Sequence, residues 1–434
     1  MEDRAVTDAV EIQPTGPVHA SIRPPGSKSI TNRALVCAAL AEGDSTLSGA
    51  LDSEDTRVMI DALRLLGVAA EHDRASATVR VRGCAGRLPA RDVNLFVANS
   101  GTTLRFLTAV VTLGQGTFRL DGTPRMRERP VQDLLDALRQ LGADATTELG
   151  TGCPPVVVRA AGLPGGPATV AGSISSQYLS GLLMAAPYAA RPVELRVQGA
   201  LVSTPYVEMT LEVMSAFGVT VATEDLSRFV IPTGRPYQGR TYAVEPDASA
   251  ASYFFAAAAV AGGQVTVEGL TRTSLQGDVA FCECLRQMGC DVQYGPDAIT
   301  VARQAGLRGI EANMNAISDT VPTLAAVALF AQGPTTITGV AHIRHKETDR
   351  IRALANELRK LGARVEERSD GLRIVPGRLH AAEIDTYDDH RMAMSLALVG
   401  LALPGVVIRN PACTSKTYPG FFADLARLNP THRG

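Results

Sequence analysis

The sequence predicts an α/β protein made of six repeated helix-and-strand units, set as two globules of three. Helix ends carry the first sign. They read apolar-Gly at Leu66-Gly67, Leu141-Gly142, Phe217-Gly218, Met288-Gly289 and Leu361-Gly362, with glycine spacings of 75, 76, 71 and 73 residues. A sixth unit ends at Leu428-Asn429, 67 residues further on. Gly or Asn after the last apolar residue is the left-handed cap of a helix. The second sign is a parallel set of β-rich runs that end in glycine: Thr46 to Gly49, Thr117 to Gly122, Val193 to Gly199, Gln264 to Gly269 and Thr335 to Gly339. Each unit therefore reads helix, strand, helix, strand, and a period this long and even marks an internal repeat. Third, Pro and Gly interrupt the pattern at Arg23-Pro24-Pro25-Gly26 and from Arg235 to Arg240. These points divide the chain into a first globule over 25–240 and a second made of 1–24 with 241–434. The first ten or twenty residues are expected to pack on the second globule, and two neighbouring crossings make a hinge.

Composition narrows the function. The chain has 434 residues, 45% hydrophobic and 20% charged, with ample material for a core. A net charge of −2, no Trp and 5% aromatic residues argue against a nucleic-acid partner. No stretch reaches the about 18 apolar residues of a membrane span. Met1 to Val10 is acidic and has no signal-peptide core. Seven scattered cysteines do not suggest a disulfide framework. Cys282, Cys284 and Cys290 are expected to be core thiols of a cytoplasmic protein. No metal or organic cofactor is expected, because the carboxylates do not cluster with histidines at ligand spacing.

The helix starts follow in order. They are Ser27-Lys28-Ser29, Asn99-Ser100-Gly101-Thr102, Ser175-Ser176-Gln177, Asp247-Ala248-Ser249, Ser318-Asp319-Thr320 and Asp388-Asp389-His390-Arg391. Ser, Asn and Asp are the preferred N-caps, so capping accounts for much of this. It does not account for Lys28, Arg33, Arg105, Arg391 and Lys416, because positive charge at a helix N-terminus opposes the dipole. An anion held between amide N–H groups and the cation removes that conflict. Arg125 to Pro130, Lys346 to Arg350 and Ser415-Lys416-Thr417 repeat the theme at other helices. Each cluster alone could be a solvated face. Together they predict a cleft between two globules, lined by cations and filled by a multiply anionic ligand.

These residues resemble the 5-enolpyruvylshikimate-3-phosphate synthase family. The likeness is carried by Pro25-Gly26-Ser27-Lys28-Ser29-Ile30-Thr31-Asn32-Arg33-Ala34, Asn99 to Arg105, Arg125 to Pro130, Ser175 to Tyr178, Lys346 to Arg350, Asp389 to Ala393 and Lys416-Thr417. The motifs run in family order over roughly residues 12 to 428. The resemblance implies an enolpyruvyl transferase fold, an inside-out α/β barrel in each globule, with the active site in the interdomain cleft. It implies transfer of the enolpyruvyl group of phosphoenolpyruvate to the 5-hydroxyl of shikimate 3-phosphate by addition and elimination. It further implies that Lys28, Ser29, Arg33, Ser175, Ser176, Gln177, Ser203 and Tyr206 meet shikimate 3-phosphate, with Asp319, His342 and Lys346. Phosphoenolpyruvate is to meet Lys28, Gly101, Arg129, Gln177, Arg350, Arg391 and Lys416. Asp319 is to take the hydroxyl proton and Glu347 to move the proton at the methylene carbon, with Lys28 as a third catalytic group. The expected working form is a monomer, complete only when closed.

Bland readings remain beside these. Asp319 could cap the following helix, and Glu347 could serve the dipole of the helix it precedes. His390 reads as structural, and Arg127 as contacting neither substrate. Ser100 stands where many members have Ala, so its backbone surroundings are expected to differ. His342 stands where Asn is common, and its imidazole can still donate one hydrogen bond. The sister family that acts on UDP-N-acetylglucosamine carries a cysteine in the loop matching Gly122 to Arg127, whereas this chain has none between Cys84 and Cys153.

Overall fold

A computed structural model describes residues 8–428; Asn429, the last residue of the sixth repeat, lies outside them, as do residues 1–7 of the acidic start. The chain divides into two compact units, one over Gly26–Val244 and the other from the described residues on either side of it.

Each repeat begins with a helix that is buried all round. Every residue of Gly101–Val110 and of His390–Gly400 is buried, and Ala248–Ala261 is buried except for Ala261. Their sequences explain this: small and apolar side chains occupy all faces, so no face suits water. The second helices differ. Gln132–Gln140 and Phe281–Met288 bury only a stripe, as their alternation of Leu or Cys with charged residues requires. All five predicted cap glycines (Gly67, Gly142, Gly218, Gly289 and Gly362) take positive φ, from 86° to 108°. Gly122, by contrast, does not share the positive φ of Gly49, Gly199, Gly269 and Gly339.

The sheets share one plan. Strands Val93–Phe96, Gln115–Asp121, Val156–Ala161 and Asp144–Thr147 form a sheet in that spatial order; its first pair is parallel, with Val93 opposite Phe118, and the other pairs are antiparallel. Gly166–Ala171 with Val193–Gln198 and Glu311–Asn313 with Thr335–Thr338 start equivalent sheets. Strands next to the crossings complete two others. Thr241–Ala243 pairs with Thr46–Ser48, and Val18–Ile22 with Gly263–Val267. Ala9–Glu11 pairs with Val407–Arg409 in a three-stranded sheet. Among the described residues, no helix is long and apolar enough to cross a membrane.

The buried helices of each unit meet at small polar contacts. In one unit Ser252, Thr323 and Ser395, one from each buried helix, lie 3.1 and 3.2 Å apart through their hydroxyls. In the other, a Cβ on Gly181 would stand 2.9 Å from the Arg105 carbonyl oxygen, so only glycine permits that approach. Apolar packing carries most of the stability. Phe254 is fully buried, with ring centres of Tyr418 and Phe421 at 6.1 and 6.3 Å, and its truncation to Ala would cost about 3–5 kcal/mol. The consequence for function is that the N-termini of these helices rest on a rigid core.

Candidate active site

Two groups of polar residues sit at the helix starts, one in each unit. In Gly26–Val244, Ser27 caps the helix Lys28–Leu40 by accepting from the Ile30 amide. Lys28 follows at once, and its Nζ lies 3.6 Å from Asp55 Oδ2 with both residues buried. Arg33, one turn on, reaches across the core. Its Nε donates to Thr210 Oγ1 at 2.7 Å, Nη1 to the Ser29 carbonyl at 3.0 Å, and Nη2 to the Tyr206 carbonyl at 3.0 Å and Ser180 at 3.3 Å. Its guanidinium also lies 5.2 Å from the centre of the Phe106 ring. Burial brings its pKa down to about 10, against the opposing pull of Tyr206.

A second cluster gathers around Gly101. Ser100 caps the helix through the Thr103 amide. Arg105 Nη1 donates to Gln177 Oε1 at 3.0 Å, while Nη2 donates to the Pro130 carbonyl at 3.2 Å. Arg129 Nη1 donates to the carbonyl and side-chain oxygens of Asn99 at 3.0 and 3.2 Å. A Cβ on Gly101 would come within 2.5 Å of both guanidinium groups. Residues 101, 105, 129 and 177 are thus brought together from two repeats. Arg127 turns away to Asp121 in a two-point pair at 2.9 and 2.6 Å. Ser175 caps the helix that carries Ser176 and Gln177. Ser203 takes a left-handed conformation (φ 53°) at the start of Thr204–Ala216, the helix that carries Tyr206.

The group in the other unit is built on charge. Asp319 Oδ1 accepts from Lys346 Nζ at 3.1 Å and Arg350 Nη1 at 3.3 Å, while Oδ2 accepts from Arg391 Nη2 at 2.7 Å. Arg350 also donates to Asp389 through Nε and Nη2, at 2.8 and 3.1 Å, and to Glu347 at 2.9 Å. Lys416 Nζ lies 3.9 Å from Glu347 Oε1. Residues up to 97 positions apart in sequence therefore share one network. His342 is buried on the short turn Ala341–His345, just ahead of Lys346.

This geometry replaces both capping readings. Thr320, not Asp319, is the N-cap of Val321–Ala328, and it makes no side-chain cap bond. Asp349, not Glu347, caps Arg350–Lys360, accepting from the Arg352 amide. Asp389 does both jobs, since its carboxylate accepts from the Arg391 amide at 2.9 Å while holding Arg350. Tyr387 and Asp388 immediately before it both have φ of 54°. Such backbone costs about 1–3 kcal/mol per residue. Tyr387 is tied down by a bond from its hydroxyl to Glu357 at 2.7 Å. The bend presents Asp389 to Arg350.

Electrostatics separates the charged groups. Burial works against the Arg350 charge, but Asp389, Glu347 and Asp319 outweigh it and raise its pKa. Loss of water pulls Lys346 below the usual lysine range, against the attraction of Asp319. Burial, followed by the Lys346 charge, pushes His342 down to about 3, so the imidazole is neutral at physiological pH. A buried ion network is weak evidence for stability, because desolvation offsets much of the Coulomb gain. Its concentration at helix starts points to binding and proton transfer instead.

Sequence reasoning did not single out Tyr253, whose hydroxyl accepts from Arg391 Nη1 at 3.4 Å. Nothing in the run Ala-Ser-Ala-Ala-Ser-Tyr-Phe-Phe distinguishes that tyrosine from core. Arg105 stood among the cations, but its bond to Gln177 links two repeats and has no local signal.

Comparison with known proteins gives one consistent result. A family model described as EPSP synthase (3-phosphoshikimate 1-carboxyvinyltransferase) matches residues 12–425. The 3-phosphoshikimate 1-carboxyvinyltransferase of Nostoc punctiforme is 49% identical over 97% of this chain and 99% of its own length. The chloroplastic enzyme of that name from Arabidopsis thaliana is 50% identical over 96% of this chain and 84% of its own. A solved structure of EPSP synthase from Acinetobacter baumannii superposes with a TM-score of 0.81 at 27% identity, covering 96% of this chain and 98% of that one.

Proposed function

The chain belongs to the EPSP synthase (3-phosphoshikimate 1-carboxyvinyltransferase) family, and from that premise we propose how its residues divide the work. The reaction moves the enolpyruvyl group of phosphoenolpyruvate to shikimate 3-phosphate in the shikimate pathway, which supplies aromatic amino acids. Each substrate brings one carboxylate and one phosphate, so the site must neutralise several charges and also move two protons.

Asp319 is the base. The observation that carries this is its carboxylate fixed by three cations at 2.7–3.3 Å, a geometry that aims it without capping any helix. It takes the proton of the 5-hydroxyl as the oxygen attacks C2 of phosphoenolpyruvate. Glu347, anchored through Arg350, moves the proton at the methylene carbon; that proton is returned when the tetrahedral intermediate expels phosphate. Arg350, Arg391 and Lys416 hold the phosphoenolpyruvate anions together with Lys28, Arg129, Gln177 and the open space at Gly101. Such cations stabilise charge that grows on the leaving phosphate. Ser29, Arg33, Ser175, Ser176, Gln177, Ser203 and Tyr206 receive shikimate 3-phosphate, with Lys346 and a neutral His342 donating to it.

The working form is a monomer in the cytoplasm, and seven free thiols support the cytoplasmic reading. The test of function is phosphate release from phosphoenolpyruvate, followed with shikimate 3-phosphate and, in parallel, UDP-N-acetylglucosamine as acceptor. Release that depends on shikimate 3-phosphate alone is expected. Release with the nucleotide sugar would transfer the chain to the sister activity.

A further inference from the structure

Asp278 is a buried carboxyl, 4% exposed, to which the mechanism above gives no task. It lies in the short turn Gly277–Ala280 ahead of helix Phe281–Met288, whose N-cap is Ala280. The turn is pinned across the start of helix Ala248–Ala261. Gln276 Oε1 accepts from the Ala248 amide at 3.0 Å, and its Nε2 donates to the Pro246 carbonyl at 2.6 Å and to Glu245 at 3.2 Å. Ser249 Oγ then donates to Asp278 Oδ2.

Ser249 and Tyr253 are four residues apart, so they lie one above the other on a single helix face. Tyr253 is the residue that meets Arg391, and Arg391 is the residue that holds Asp319 Oδ2. Ser249 on the first turn of this face thus bonds Asp278, and Tyr253 on the next turn, a rise of about 6 Å along the helix, bonds the Arg391 that holds Asp319. Tyr253 is itself steadied by Phe421, ring centres 5.5 Å apart. We propose that Asp278 is a positioning residue for this reaction: its anion, fixed by Ser249, raises the proton affinity of Asp319 across the face shared with Arg391. The inference rests on reading Asp319 as the base.

The charges that act most on Asp278 come from three elements. Helix Ala248–Ala261 brings Ser249, and Asp247 at its cap; the turn Ser318–Thr320 brings Asp319; helix His390–Gly400 brings Arg391. Burial first, and then the charge of Asp319, push the Asp278 carboxyl up to about 6, against the Ser249 bond and Arg391. Above that pH Asp278 is an anion, and a like charge nearby disfavours a second anion, so Asp319 binds a proton more readily. A stronger base accepts the hydroxyl proton faster. As pH falls through about 6, Asp278 is protonated and this assistance ends. Turnover should therefore lose activity on the acid side around that pH.

The test uses the full chain and saturating substrates, with turnover measured from pH 5 to 8.5. Asp278→Asn is expected to lower turnover roughly fivefold at pH 8, to leave both KM values nearly unchanged, and to remove the acid limb near pH 6. Ser249→Ala is expected to move that limb to higher pH, because the lost hydrogen bond had favoured the anion. This second variant keeps the test open if the first fails to fold. Parental turnover with an unmoved limb in Asp278→Asn overturns the proposal, as does an unmoved or lowered limb in Ser249→Ala. Asp319→Ala separates the two readings. If it retains turnover, the assignment of the base fails; if it is inactive while the Asp278 and Ser249 variants behave like the parent, only the present inference fails.

Discussion

The helix-start cations of the two units keep different company. Arg33, Arg105 and Arg129 bond to hydroxyl, carbonyl and amide oxygens, whereas Lys346, Arg350 and Arg391 grip Asp319, Glu347 and Asp389. Neutral partners fix a guanidinium in place without cancelling its charge, which makes a receptor for anions. Carboxylate partners cancel charge, but they place proton acceptors beside the cations proposed to hold substrate. A repeat shared by both units has thus been put to two uses. Lys28 with Asp55 is the exception, an ion pair inside the otherwise neutral set.

The contrast predicts different kinetic signatures. The largest effect belongs to Asp319→Ala, which should cut turnover at least about a hundredfold with little change in substrate binding. Near-normal turnover would remove the distinction between the units. Next comes Lys28→Ala. It deletes a charge-assisted contact of about 1.5–3 kcal/mol, and the loss should show as weaker binding of both substrates, measured by isothermal titration and KM. An unchanged KM for both, with turnover alone reduced, would place Lys28 with the acid–base groups instead.

Gly101 gives a smaller effect that sharpens the receptor side. A methyl group there meets Arg105 and Arg129 at 2.5 Å, yet φ at this residue lies outside the positive range, so the backbone tolerates Ala. The guanidinium ends must move, though each is buried and bonded. Gly101→Ala should raise the KM of phosphoenolpyruvate several-fold and leave that of shikimate 3-phosphate alone. With Gly101 in place, glyphosate should inhibit at micromolar levels in competition with phosphoenolpyruvate. Inhibition that needs tens of millimolar would show that this space is not where the inhibitor sits.

How far these features were legible in the sequence depends on their range. The repeat was legible because capping and amphipathic stripes are local: Leu66-Gly67 and Leu361-Gly362 show in a few residues what φ of 86° and 100° confirm. The cations at helix starts were legible for the same reason, since Lys28 and Arg391 conflict with a local dipole. Roles set by distant partners were not. Capping stood beside the proposed base role at Asp319 because both look alike locally; the contacts with Lys346, Arg350 and Arg391 are what the structure adds. Asp389 was legible as a cap but not as the two-point partner of Arg350, 39 residues earlier. The bend at Tyr387 and Asp388 had no sequence sign, because left-handed backbone at those residues is stabilised by Glu357 and Asn410 from elsewhere.

His342 tests the charged side of the contrast most gently. Burial and Lys346 bring its pKa from 6.5 to about 3, so the native state keeps it neutral while the unfolded chain protonates below about 6.5. Between those values the unfolded state binds the extra proton, and stability must fall as pH drops, by up to about 1.4 kcal/mol per pH unit. Nothing is lost above pH 6.5, where both states are neutral at this residue. Asn cannot take up that proton and can still donate a hydrogen bond. His342→Asn should therefore narrow the gap between urea midpoints at pH 7.5 and pH 5, while turnover at pH 7.5 stays within about twofold. Asp278, with its raised pKa, contributes in the opposite direction, but it is present in both proteins and cancels from their difference. If the gap is the same in both, His342 carries its proton in the folded enzyme, and the cluster around Lys346 holds one more positive charge than its ion pairs indicate.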